Sequence, residues 1–371
     1  MSEYIVRYVD LVQRYADERE EIQECIDRVL SKGHLVLTEE VKELEQAVSD
    51  YCNIAHCVSL NSGTDALMMA LWGAGIKKGD EVIVPNISFI ASIGAIVHVG
   101  AVPVICDVGE DFLIDPSQIE SHINNRTKAI MPVHWTGRTC EMKQINTIAD
   151  NNGLVVIEDA AQSMGSYVNG VHSGTTGIAG AISCHPLKNL NALGDGGLLI
   201  TDDAELARKV RLYKNHGLRA RDDVEIFGVN SRLDVLSAEV LKFRLKKLQS
   251  VNEKRNKNAF RYMEGLQGLP QAIFVSPKPE EVEARVMFLG LFEERDKLQN
   301  ALKEKGIETL VYYGRPLSAH KASIDLGLNI SAYPVSERLC NAVLALPHHQ
   351  YVTEEQIDFV CDHIWKFYKA G

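Results

Sequence analysis

Between residues 55 and 201, short apolar runs alternate with longer segments whose apolar positions recur at helical spacing. The strand candidates are 56–60, 81–84, 102–106, 128–133, 154–158, 179–183 and 197–201. This alternation predicts an α/β domain with a mostly parallel central sheet. Upstream, residues 1–50 are charged and helical in pattern, from Glu20 to Leu30 and again from Glu39 to Val48, with Gly33 as a break. Downstream, a long helical pattern runs from Asp234 to Glu264, and Gly265 is its expected stop. The segment 268–283 is irregular. The apolar stretch 286–292 reads as a buried strand, and helices are predicted over 294–305 and 354–368. The expected division is residues 1–240, N-terminal helices and a large domain, and 241–371, a smaller C-terminal α/β domain.

Composition narrows the class. A chain of 371 residues is too long for one core and fits a large domain plus a smaller one. Its 46% hydrophobic and 24% charged residues are those of a soluble globular protein. The formal charge of −11, with no basic stripe to offset it, argues against nucleic acid as a partner. The start Met1-Ser2-Glu3-Tyr4 has no basic region leading into an apolar core, and no run approaches a membrane span. Eight scattered cysteines then read as reduced thiols, and the expected location is cytoplasmic. Cys52 and Cys57 have no second Cys/His pair at zinc spacing, so no metal site is expected.

The candidate chemistry lies where strands end, which is where open α/β sheets bind ligands. Lys188 stands in the loop Ser183-Cys184-His185-Pro186-Leu187-Lys188-Asn189, just past the run 179–183. Asp159 ends the run 154–158 and opens Ala160-Ala161-Gln162. A lysine amine and a carboxylate are the pair that a pyridoxal phosphate (PLP) enzyme needs: one holds the cofactor as a Schiff base, the other keeps the pyridine nitrogen protonated. Taken singly, each has an ordinary reading, a solvated lysine and a helix N-cap. A third element adds weight. Asn61-Ser62-Gly63-Thr64-Asp65 follows the run 56–60 and opens a helical run, so Ser62, Gly63 and Thr64 offer N–H groups, hydroxyls and a helix N-terminus to a phosphate.

On these motifs the chain resembles the DegT/DnrJ/EryC1/StrS family of sugar aminotransferases, with the type I PLP-transferase fold. The likeness runs from about Val9 to Ile364. It includes Gly79-Asp80-Glu81-Val82-Ile83-Val84-Pro85, Pro132-Val133-His134, Glu158 to Gln162, Gly194-Asp195-Gly196-Gly197, Asn215-His216-Gly217 and Asn230-Ser231-Arg232-Leu233-Asp234. The resemblance implies PLP on Lys188, with Asp159 at the pyridine nitrogen and Gln162 near the phenolic oxygen. It further implies Phe89 stacked on the ring, Ser183 at the phosphate, and Asn230 reaching the phosphate of a neighbouring subunit in a homodimer. If a helix starts at Asp159, Gln162 shares its face. Arg232 is implied at the substrate or the interface, while His185 and His216 carry no assigned role.

The lysine separates the chain from the family's dehydratases, which have histidine there. The implied reaction moves an amino group from an amino acid, L-glutamate by family habit, to a keto sugar, a nucleotide-linked 3- or 4-keto-6-deoxy sugar. Residues 228–234 and Val9-Asp10-Leu11 lean toward the 3-position. Departures from the family pattern fall at Thr38, Cys184, Tyr312-Tyr313-Gly314 and Ser318, and bear on the substrate. The alternatives are an aminocyclitol- or aminoshikimate-type PLP enzyme, a PLP-dependent sugar lyase, and a regulatory protein of PLP fold.

Overall fold

The computed structural model describes residues 4–328 and 332–369; residues 1–3, part of the stretch read for a leader, lie outside it. The central sheet has seven strands: β1 His56–Leu60, β2 Glu81–Pro85, β3 Val102–Cys106, β4 Thr127–Ile130, β5 Val155–Asp159, β6 Ala179–Ser183 and β7 Gly197–Thr201. Their order is β1-β7-β6-β5-β4-β2-β3. The five from β6 to β3 run parallel, while β7 is antiparallel to both its neighbours. Strands covered on both faces must be apolar throughout, which is why all seven stand out as apolar runs. The run 128–133 ends early. Met131 still donates its N–H to the Ile83 carbonyl at 2.7 Å, but Pro132 has no N–H to continue the ladder.

Helices cover both faces. Near the N-terminus come α1 Leu11–Asp17, α2 Arg19–Leu30 and α3 Glu39–Cys52; α4 Gly63–Gly73 and α5 Ala91–His98 follow β1 and β2. On one face, Leu67, Leu71, Ile93 and Ile96 pack on Val58, Val84 and Ile157. On the other, Val41, Leu44 and Val48 of α3 meet Ile182 and Ile200, together with Ala238, Leu241 and Leu245 of the 31-residue helix α6 Val235–Gly265.

Helix α6 passes unbroken through the expected boundary at 240/241 and ends within a second core. There Ala259 and Tyr262 pack with an antiparallel sheet of β8 Ala272–Ile273, β9 Phe288–Phe292 and β10 Val343–Leu346. Helices α7 Arg295–Glu304 and α8 Glu354–Lys369 complete that core. Gly265 has an ordinary φ, yet an added Cβ would come within 2.8 Å of Cys361 Sγ, so a side chain there would force Cys361 to shift. The first described residues belong to this core too: Val6 bridges Ile307, and the Tyr8 N–H donates to Glu308 Oε2 at 2.9 Å. All eight cysteines are unpaired and buried. Among the described residues, no helix is long and apolar enough to cross a membrane.

Candidate active site

The carboxyl ends of β1, β5 and β6 open on one cleft of about 540 Å³, which Ser62, Gly63, Thr64, Asp159, Ser183 and Lys188 all line. Local sequence sets each one. Ser62 caps α4, accepting the Asp65 N–H on Oγ at 3.1 Å, so its hydroxyl is partly occupied and the free N–H groups of the first turn face outward. Gly63 brings that turn against β6: a Cβ there would stand 2.8 Å from the Ser183 Cβ. Ser183 Oγ accepts the His185 N–H at 3.3 Å. A helix N-terminus, a threonine and a serine therefore converge at one end of the cleft, an arrangement that fits a phosphate.

Asp159 is almost wholly buried. Ser92 donates its hydroxyl to Oδ2 at 2.7 Å, and the Ala161 N–H reaches Oδ1 at 3.2 Å. Burial pushes its carboxyl above the usual range, against the pull of these donors and of Lys188. Lys188 moves the other way: burial pulls its amine down to about 8, with the Asp159 carboxylate opposing. The lysine thus stands as a far better nucleophile near neutrality than a solvated one.

Gln162 is in place, but by another route than expected. Residues 160–166 form turns rather than a helix. The Gln162 Oε1 accepts the Thr136 N–H at 2.8 Å, which leaves Nε2 as the group offered to a ligand. Phe89 lines the cleft with half its surface exposed, and among the described residues Tyr313 is the one aromatic ring paired with it, at 6.1 Å. An aromatic face left open inside a cleft is what a planar ring needs to stack upon.

Other sequence-derived candidates lie apart. Asn230 is exposed and does not line its own chain's cleft; its backbone bridges Asn215. Arg232 donates to Asn215 Oδ1 at 3.2 Å. His185 lines the cleft, with Nδ1 accepting the Leu187 N–H, whereas His216 lies outside it at φ 59°. Of the departures from the family pattern, Tyr312 and Tyr313 line the cleft, while Thr38, Cys184 and Ser318 do not.

Several residues in or behind the cleft escaped the sequence reading. Ser92, in the first turn of α5 behind Asp159, did, although Ser88 stands four residues before it and their hydroxyls meet at 2.7 Å, a spacing visible in the chain. Val286 and Met287, just before β9, turn out to line the cleft as well. Tyr8, Arg255 and His348 join them from three distant segments, and nothing local marks them. Glu158 is fully buried and accepts from His134 Nε2 at 2.8 Å and from the N–H groups of Gly174, Thr176 and Gly177. Burial raises its carboxyl, but these donors outweigh burial and hold it below the usual range. The same residue fixes His134, whose Nδ1 accepts the Cys140 N–H, directly behind Asp159.

A doubly wound sheet with one reversed strand, a lysine of lowered basicity and a buried aspartate across one cleft define a PLP-dependent enzyme of the type I fold. The chain belongs to the DegT/DnrJ/EryC1/StrS aminotransferase family, whose model matches residues 16–365. It is similar to a pleiotropic regulatory protein from Geobacillus stearothermophilus, at 38% identity over 98% of this chain and 99% of that one. It is similar also to a UDP-N-acetyl-3-dehydro-alpha-D-glucosamine 3-aminotransferase from Acidithiobacillus ferrooxidans, at 39% over 94% of both. The solved structure of DesV from S. venezuelae superposes with a TM-score of 0.95, at 37% identity and 98% coverage of each chain. The protein is an aminotransferase, and PLP is its cofactor.

Proposed function

We propose that the protein transfers an amino group from L-glutamate to a nucleotide-linked 3-keto sugar, as a homodimer in the cytoplasm. The observation that carries the chemistry is Lys188 facing Asp159 across one cavity, with its amine drawn down to about 8 by burial. Bound there, PLP supplies an electron sink for the carbanion beside the transferred nitrogen. Asp159 holds the pyridine nitrogen protonated, and Ser92 and the Ala161 N–H keep that carboxylate aimed. Gln162 Nε2 would donate to the phenolic oxygen, Phe89 would offer its open face to the ring, and Ser62, Gly63, Thr64 and Ser183 would hold the phosphate. Lys188, once its amine is free, carries the proton to and from the substrate carbon.

The 3-keto assignment rests on residues 228–234, on Val9-Asp10-Leu11 and on the likeness to a 3-aminotransferase. The homodimer rests on Asn230, which is exposed beside Phe227 (98% exposed) and Val229, an apolar surface suited to burial. The regulatory name of the Geobacillus relative does not alter this reading, because a chain that keeps Lys188 and Asp159 in one cleft keeps the chemistry.

The test is a screen. The holoenzyme, converted by L-glutamate, is offered UDP- and dTDP-linked 3-keto and 4-keto hexoses, and return of the visible cofactor absorbance is followed. Return with 3-keto sugars alone is expected. Return with 4-keto sugars only would reject the position. Borohydride reduction followed by peptide mapping should place the pyridoxyl label on Lys188, and a label elsewhere would reject that residue.

A further inference from the structure

We propose that Arg255, with Tyr8, forms the subsite that binds the α-carboxylate of the amino donor; this deepens the aminotransferase reading and rests on it. Arg255 sits midway along α6, is 5% exposed, and lines the same cleft as Lys188. Among the described residues one hydrogen bond holds it, Nη1–H to the Val286 carbonyl at 3.1 Å. Its Nε is buried with no partner among the described residues, and so is the Tyr8 hydroxyl beside it. Among the described residues no carboxylate lies within ion-pair distance of this guanidinium.

The neighbours deepen the imbalance. Arg14, on α1, adds a like charge, and burial together with Arg14 lowers the Arg255 guanidinium to about 10, against a small opposing pull from Tyr8. The acid paired with Arg14, Glu18, is shared between Arg14 at 3.1 Å and Arg244 at 2.7 Å. Asp10 is engaged by the Gln13 N–H and lies 3.5 Å from Arg7. His348 and His349 face Arg255 and are held neutral, by burial first and by Arg255 next; each is bonded through Nε2 to a backbone carbonyl. The cleft's own carboxylates are Asp159, held by Ser92 and Ala161, and Asp195 at the rim. A buried cation without a counter-ion is costly, and a folded protein that keeps one supplies the anion from outside.

Geometry selects which anion. A guanidinium fork matches a planar carboxylate in two parallel bonds. The phosphate has its place at α4. The nitrogen being transferred must lie at Lys188, and in an amino acid the carboxylate is one carbon from that centre. Lys188 and Arg255 line not only the main cleft but a second, smaller hollow together with Arg14 and Tyr351. A neutral keto sugar has no anion so near its ketone.

The experiment separates the two half-reactions in the holoenzyme. Conversion by L-glutamate without sugar, and 2-oxoglutarate binding to the pyridoxamine form, are titrated for the wild type, Arg255→Lys, Arg255→Met and Tyr8→Phe. Arg255→Met is expected to weaken both ligands at least ~30-fold, Arg255→Lys about 10-fold and Tyr8→Phe about 3–10-fold. Reaction with n-propylamine, and return of the pyridoxamine form by the keto sugar, should stay at wild-type levels. Unchanged affinity for L-glutamate in Arg255→Lys and Tyr8→Phe overturns the proposal, even if Arg255→Met fails to fold. So does a loss confined to the keto-sugar half-reaction, which would give the carboxylate to the sugar. A wild type that no amino acid converts defeats the aminotransferase reading itself, a result no variant is needed to see.

Discussion

Two opposed shifts at the centre of the cleft govern its pH response. Burial lowers the Lys188 amine to about 8 from its ordinary value near 10.5, and the Asp159 carboxylate pulls it back up. In the apo-protein the free amine therefore predominates above about pH 8. The rate of PLP capture should rise with pH and level off with a midpoint near 8. In Asp159→Asn the opposing charge is gone, so the midpoint should fall below 8 while turnover drops by at least ~100-fold, because a neutral amide cannot keep the pyridine nitrogen protonated. Stopped-flow reconstitution across pH and steady-state turnover check the pair. A midpoint that rises in the variant would contradict the cited balance. At this scale the chain was readable where chemistry clusters in sequence: Asp159, Gln162, Ser183 and Lys188 sit in short motifs after strands. Tyr8, Arg255 and Val286 were not, because only tertiary packing brings them together.

Among the elements, the junction between α4 and β6 forms the proposed phosphate cradle. The N-terminus of α4 lies so close to β6 that Gly63 has no room for a Cβ, and Gly197 would place one 2.1 Å from the Ser62 carbonyl. Gly63→Ala must push the helix away from Ser183. Overpacking of this kind costs roughly 1–3 kcal/mol. We expect a lowered melting temperature by calorimetry and faster PLP loss on dialysis, by about 10-fold or more. A variant that retains cofactor as wild type does would show that this contact is not needed. Elements were the most legible scale. Each of the seven strands was foreseen within three residues of its ends, since a strand buried on both faces must be apolar throughout. The ribbon of 167–168, 171–172 and 281–282 was not foreseen: two-residue strands have no periodicity to read.

For the whole molecule, the placement of Asn230 outside its own cleft makes a complementation experiment decisive. Lys188→Ala chains mixed with Asn230→Ala chains should recover activity, because one site in each hybrid dimer then has both an intact lysine and an intact asparagine. The recovered fraction should approach about one quarter of wild type at equal mixing. In the proposed dimer Asn230 would make a hydrogen bond to a charged group, worth on the order of 1.5–3 kcal/mol, so its loss should weaken PLP retention more than the fold. No recovery despite demonstrated subunit exchange would reject the shared site, as would a fully active monomer by light scattering.

Tyr8, which closes one wall of the cleft, is held by Glu308, a residue 300 positions further along the chain. On the ribosome that distance is a waiting time. At about 5–20 residues per second, roughly 15–60 s separate the synthesis of the two ends of this contact. Only in the last third of that interval, once Thr201 has been made, can the large sheet be complete, and Tyr8 still has no Glu308 to dock upon when the helix that carries Arg255 ends at Gly265. A nascent chain stalled before residue 308 would therefore carry Lys188 and Asp159 in a folded domain yet have no closed pocket for its donor.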